Sequence, residues 1–280
     1  MKKILTIAAL LVCALCMAQT TSEEFREKYD RQVRNVGYDG VGVETILDNW
    51  EEAFPGDVDA RLGRFYFYLH KSQESQMVVK DRKKYLGNAP AVTLKDEQGN
   101  PVNYFEEVFF DDECFAESQR VIDALIKEYP HALDYRCAKI NSMLAYEKED
   151  PTMSTVLIND VIGINNSKHP AWTFGGESVS QDDFCDLIQE YCTSLYLTGT
   201  ESSYASFRDI SATMSKAYPK YAGFLDNQGS YLLVCQRNYK KAISFYDKAL
   251  KIDPQDQAAI SNKRLAEREM AKAKNKGKKK

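Results

Sequence analysis

Residues 238–254 read NYKKAISFYDKALKIDP, and the way this helix-prone run ends decides the fold. Proline disfavours helical geometry in the residue before it, so a helix running into Pro254 must stop there. Proline is itself tolerated at the first turn of a following helix. The same cadence of helix, proline, helix occurs at three other places. These are LDNWEEAFPGDVDARLGRFYFYL (47–69), IDALIKEYPHALDYRCAKINSML (122–144) and SATMSKAYPKYAGFLDNQGSYLL (211–233), while the fourth continues as YDKALKIDPQDQAAISNKRLAE (246–267). An aromatic residue precedes the proline in three of them: Phe54, Tyr129 and Tyr218. Such a ring can plug the gap where two helices meet. The prolines Pro55, Pro130, Pro219 and Pro254 are 75, 89 and 35 residues apart. The last interval fits one helix pair, and the longer two leave room for an extra pair plus an insertion.

Residues 238–254 resemble the second helix of a tetratricopeptide repeat. Ala242 and Ala249 stand where that family brings neighbouring helices closest, Tyr246 takes its large aromatic position, and Pro254 ends the helix. Leu225, Gly229 and Leu232 match the large, small and large positions of the preceding helix, given one residue fewer in the turn near Arg237. Gln228 departs from the family's leucine. Elsewhere the chain shares the cadence but has lost most of the small residues. The whole pattern resembles exported bacterial tetratricopeptide proteins, which carry no activity over to it. The resemblance implies an all-α fold, a right-handed α-solenoid of helix-turn-helix repeats, because one helix pair cannot bury its apolar face alone. It also implies that first helices line a concave groove, with Asp226, Asn227 and Ser230 facing it, and Asn262 from a capping helix. The family's carboxylate-binding groove uses paired lysines and an arginine. Here those places hold Asp226, Ala258 and Asn262, so that mode is not expected.

Strand patterning is confined to one stretch. Val92 and Leu94 alternate with polar residues, a turn follows at DEQGNP (96–101), and Val102 and Tyr104 resume the alternation. This predicts one small inserted β-hairpin at 90–110. The expected organisation is a leader at 1–18, helix pairs at 19–89, the hairpin, a central helical region at 111–198 with a loop at 165–180, a C-terminal repeat and cap at 199–274, and a basic disordered tail at 275–280. The leader has Lys2 and Lys3, an apolar run from Ile4 to Met17, and Ala18 before a polar stretch. That run falls short of the roughly 20 residues a spanning helix needs. It predicts cleavage behind Ala18 and export to the periplasm or cell envelope.

Composition and charge narrow the function classes. The chain is 280 residues, 44% hydrophobic and 28% charged, which excludes global disorder. Of its 37 basic residues, eight are Lys2, Lys3 and the six lysines of 272–280, leaving 29 against 41 acidic ones. A body near −12 argues against a nucleic-acid partner, and only the basic tail is suited to touching anionic lipid. Behind the leader stand Cys114, Cys137, Cys185, Cys192 and Cys235. Their odd number and the two-turn separation of Cys185 from Cys192 argue for reduced, packed thiols.

No catalytic constellation is legible. His70, His131 and His169 are isolated, with His131 read as a turn residue, and no P-loop, GxSxG or GxGxxG occurs. The acidic clusters Glu106-Glu107, Asp111-Asp112-Glu113 and Asp182-Asp183 lack the spacing of a calcium loop and read as helix starts. Gly37 to Gly42 reads as an inter-helix loop. No metal or cofactor is expected. The expectation is a non-catalytic scaffold holding a protein or peptide in its groove, with Trp172 and Phe174 as a lid or an apolar plug. A second reading is carbohydrate binding through Trp172 with Tyr191 or Tyr196 as exposed rings.

Overall fold

The computed structural model describes residues 21–277. The expected leader at 1–18 and residues 278–280 lie outside the described residues. The molecule is mostly helical, with eleven helices among the described residues and a small antiparallel sheet, so the class is all-α with a β insert. Contacts divide it into two compact units. One holds residues 21–73 with Phe110–Glu128, the other Glu74–Phe109 with residues 129–277.

The first unit contains α1 (Ser22–Val36), α2 (Val43–Ala53), α3 (Val58–Lys71) and α4 (Asp112–Glu128). Thr21 opens α1 with a capping box: its hydroxyl accepts from the Glu24 amide while the Glu24 carboxylate accepts from the Thr21 amide. Trp50 on α2 is fully buried, and its indole N–H donates to Ser22 Oγ at 3.0 Å. Asp57 caps α3 through the Ala60 amide at 3.0 Å and accepts from the Ser22 hydroxyl at 2.5 Å. Three helix ends are thereby tied at one point. Gly63 lets α3 approach α2 closely, since a Cβ there would stand 2.9 Å from Leu47. The buried Arg64 answers with Asp48 at 2.6 Å and Glu51 at 2.8 Å.

Residue 73 leaves α3 as the first strand of the insert, and the chain returns at once to the same point: the Asp111 amide donates to the Ser72 carbonyl at 2.7 Å. Helix α4 then packs back on α3. The 75-residue proline spacing is therefore one helix pair plus an insert, without the extra pair expected. For the same reason α4 belongs with the N-terminal helices and not with a central region starting at 111. The insert is a three-stranded sheet, order β1-β3-β2, and not a lone hairpin at 90–110. Its strands are β1 (Gln73–Val79), β2 (Val92–Lys95) and β3 (Pro101–Phe110). The hairpin itself has the predicted register, Val92↔Tyr104 and Leu94↔Val102. Strand β1 escapes a sequence reading because QESQMVV carries no apolar alternation and stays largely exposed. Glu106 and Glu107 fall within β3 and start no helix. Glu107 bonds Lys80 at 2.8 Å and Lys148 at 2.9 Å. Burial alone would raise its carboxyl, but the two ammonium groups hold it down near about 2.

The second unit continues with α5 (Leu133–Glu147), α6 (Thr152–Lys168), a short hairpin of β4 (Thr173–Phe174) and β5 (Glu177–Ser178), then α7 (Gln181–Thr198), α8 (Glu201–Ala217), α9 (Gly223–Val234), α10 (Tyr239–Ile252) and α11 (Gln257–Gly277). Helix α11 runs to Gly277, further than the expected end at 274. Sequence-adjacent helices pack together (α5 on α6, α7 on α8, and on to α11), and contacts also skip one helix: α6 with α8, α7 with α9, α9 with α11. An apolar cluster runs from Leu133, Ile140 and Ile158 through Phe184, Ile188 and Phe207 to Phe224.

All four prolines end helices, but none enters the next helix's first turn, because each helix restarts three or four residues later. Phe54, Tyr218 and Asp253 share one cap: φ is −132°, −124° and −124°, ψ is 72°, 68° and 98°, and each amide still bonds four residues back. The rings before these prolines differ in setting: Phe54 lies edge-on to Phe25 of α1, Tyr218 is buried near Phe184 of α7, and Tyr129 is 37% exposed with its edge against Tyr135. At the C-terminal pair, Ala242, Tyr246 and Ala249 are all fully buried. The shortened turn puts Arg237 at φ 51°, a strained region for a side-chain-bearing residue. Gly229 abuts the Tyr246 ring, which a Cβ would meet at 2.5 Å. Gly229→Ala is expected to destabilise the chain by about 1–3 kcal/mol through overpacking. Urea midpoints at unchanged slope measure this, and adding Tyr246→Leu should recover part of the loss.

Candidate binding groove

The second unit carries a row of helices joined side chain to side chain. Tyr221, just before α9, donates its hydroxyl to Asp186 on α7 at 2.6 Å. Gln189 on α7 and Asn227 on α9 bond reciprocally at 3.0 and 2.9 Å, and Asn227 also donates to Ser211 on α8 at 3.1 Å. Asn262 on α11 donates to Asp226 at 3.3 and 3.4 Å and to Ser230 at 3.3 Å. The four residues expected to face a guest are thus brought together, but as a seam between helices. Asp226 is 8% and Asn227 6% exposed, so neither offers a free surface. Asp226 is met by Asn262 of α11, and Asn227 is held between Gln189 of α7 and Ser211 of α8, so the expected exposure of these two residues is corrected.

Trp172 and Phe174 part company. Trp172 is 3% exposed and Phe174 50%. The Trp172 indole N–H donates to Asn165 at 3.0 Å, and its ring lies against His131 and Arg136. Trp172 is an anchor, and the lid reading is corrected for it. From that root the β4–β5 hairpin projects over α5. The Thr173 amide donates to the His131 carbonyl at 3.0 Å, and the Gly175 amide to Asp134 at 3.2 Å. Gly175 and Gly176, at φ 56° and 86°, form the two-residue turn that such a hairpin requires.

Under this hairpin lies a groove of about 320 Å³. Leu133, Val179, Leu187 and the exposed Phe174 supply its apolar lining, and Glu177, Asp183, Asp186 and Glu190 its charge; no lysine or arginine lines it. Ser180 starts α7 in a capping box with Asp183, as the acidic cluster at 182–183 predicts. What the sequence reading missed is the spacing. Asp183, Asp186, Leu187 and Glu190 stand at i, i+3, i+4 and i+7, one face of α7, while Phe184, Ile188 and Tyr191 occupy the core face.

The sugar-binding reading loses its rings. Trp172 and Tyr191 are buried, and Tyr196 is packed between Tyr204 at 5.5 Å and Phe207 at 5.2 Å. The five cysteines are unpaired, with Cys185 and Cys192 both buried on α7 and their thiols pushed up to about 12 by burial. His70 stacks on Tyr38 at 4.6 Å, and His169 is a left-handed helix cap. Among the described residues no His, Cys, Asp and Glu set is arranged to hold a metal, and no helix is long and apolar enough to cross a membrane. No protein-family model and no curated protein matches this chain.

The seam has a pH signature. Burial raises the Asp226 carboxyl to about 6, with Asp256 adding repulsion and the Asn262 and Ser230 hydrogen bonds only partly opposing. A carboxyl raised in the folded state binds its proton more tightly there than in the unfolded chain. Stability is therefore full near pH 4 and falls as pH rises to about 6. Asp226→Asn is expected to gain on the native chain across that window, by about 3 kcal/mol at most. Unfolding free energies of both proteins against pH measure this, and a difference that does not vary with pH excludes it.

Proposed function

We propose that this chain is an exported, non-catalytic helical-repeat scaffold of the tetratricopeptide type that holds a protein or peptide segment. Its helix pairs form a right-handed α-solenoid in this reading, with α5, α7, α9 and α11 as the inner row. The observation that carries it is the succession of bridges Asp186–Tyr221, Gln189–Asn227 and Asp226–Asn262, which join α7 to α9 and α9 to α11. Helix contacts that reach the next helix and the next but one support it, being what a repeat array uses. So do the buried Ala242, Tyr246 and Ala249 at the one place where the sequence resembles the family. The groove beneath the β4–β5 hairpin, on α5 and α7, is the inner-row surface offered to the guest. Residues 1–18 serve as a cleaved leader, placing the mature chain in the periplasm or cell envelope.

Two measurements test this. Panning short random peptides against residues 19–280 is expected to enrich a family with a shared pattern. A synthetic member should slow amide exchange on α5, α7 and the hairpin. An absence of enrichment, or protection confined to other elements, removes the scaffold reading. Intact mass of the exported chain should show an N-terminus at Gln19; unprocessed chain held in the cytoplasm removes the export half.

A further inference from the structure

We propose that the groove between α5, α7 and the β4–β5 hairpin selects a cationic, apolar peptide segment: one large aliphatic or aromatic side chain flanked by lysine or arginine. This rests on the scaffold reading above and adds the chemistry of the guest. The floor and wall are Leu133, Val179, Leu187 and Phe174, which would take the apolar side chain. The half-exposed Phe174 gains most from being covered. Around them stand four carboxylates and no cation. Elsewhere in the protein comparable acids are answered from within: Glu107 by Lys80 and Lys148, Asp48 and Glu51 by Arg64. In the groove Asp183 is held by Ser180 and Asp186 by Tyr221, neutral partners that orient the carboxylates without neutralising them. A body with excess negative charge adds long-range attraction for such a guest. The groove demands both features together. The chain's own tail supplies only one, since residues 271–280 read AKAKNKGKKK and contain no large apolar side chain. The occupant assigned is therefore a segment of another protein.

The probe is a labelled synthetic peptide with one leucine between lysines, read by fluorescence anisotropy on residues 19–280. Two control peptides replace the lysines by glutamate, or the leucine by glycine. The expected result is binding of the first, at least tenfold weaker binding of both controls, and loss of affinity with added salt. Asp186→Asn with Glu190→Gln should weaken the first peptide about tenfold, each exposed pair being worth a few-fold. Asp186→Asn retains an acceptor for Tyr221, and melting curves report whether the variant is folded. Glu177→Gln, on the hairpin and outside α7, should weaken binding a few-fold and gives a second reading if α7 is disturbed. Equal binding of the glutamate peptide overturns the charge selection while leaving the scaffold in place. Higher affinity after removal of residues 275–280 makes the chain's own tail the occupant and overturns the assignment. Failure of all three peptides, with an enriched family from random panning, overturns this inference alone; failure of both overturns the scaffold as well.

Discussion

A residue followed by proline is held out of the helical region, and the ends of α2, α4, α8 and α10 depend on that steric fact. At Phe54, Tyr218 and Asp253 the backbone takes nearly one conformation, yet the amide still completes its bond to the turn behind. The helix thus ends without a stranded donor, and the chain turns at a repeatable angle. Three or four residues later it restarts on a fresh cap or turn. The aromatic before the proline then has a defined direction. Phe54 reaches Phe25, and Tyr218 donates to Asn166 at 2.9 Å. At Tyr129 the same cadence leaves the ring 37% exposed, with its edge against Tyr135 of the next helix.

Backbone punctuation of this kind is legible in a sequence, and so is the small-residue contact of the last pair. Gly229, Ala242 and Ala249 can be read as close approaches through the family resemblance of that pair, and all three meet a neighbouring helix closely or are buried. The hairpin register is legible because Val92, Leu94, Val102 and Tyr104 alternate. Strand β1 is not, since it gains its place from pairing and buries almost nothing of its own. Depth was the other blind spot. A helical position fixes which side of a repeat a residue faces, but not whether the next helix lies over it. Asp226 is closed over by Asn262 of α11, and Asn227 is taken up between α7 and α8. Trp172 sits in a glycine-rich loop, which suggests exposure, while Asn165, His131 and Arg136 close around it.

The groove depends on this buried tryptophan. A two-residue turn between two-residue strands has little stability of its own. Here the indole fixes its base, and the His131 carbonyl and the Asp134 carboxylate hold its strand and its tip. Phe174 can then stand half exposed without the hairpin collapsing on α5. What reads in sequence as one aromatic pair is therefore an anchor and a wall, and the second is useful only because the first is inaccessible.

The seam between the helices raises the remaining question of why it is polar. An apolar contact between Gln189 and Asn227, or between Asp226 and Asn262, would bury more favourably, and a carboxyl pushed up to about 6 is a measurable cost. Apolar faces, however, tolerate sliding by a turn, whereas an amide pair bonded in both directions has one register. Asn227 further reaches Ser211 on α8, so a single side chain positions α7 and α9 against the helix between them. Asn262 of α11 bonds Asp226, whose burial limits competition from water. In a stack where each helix is located chiefly by its neighbours, an error in register at one seam is inherited by everything after it. A polar seam that costs some stability and admits one alignment is the arrangement that keeps Asp186, Leu187 and Glu190 on the same face as the hairpin they border.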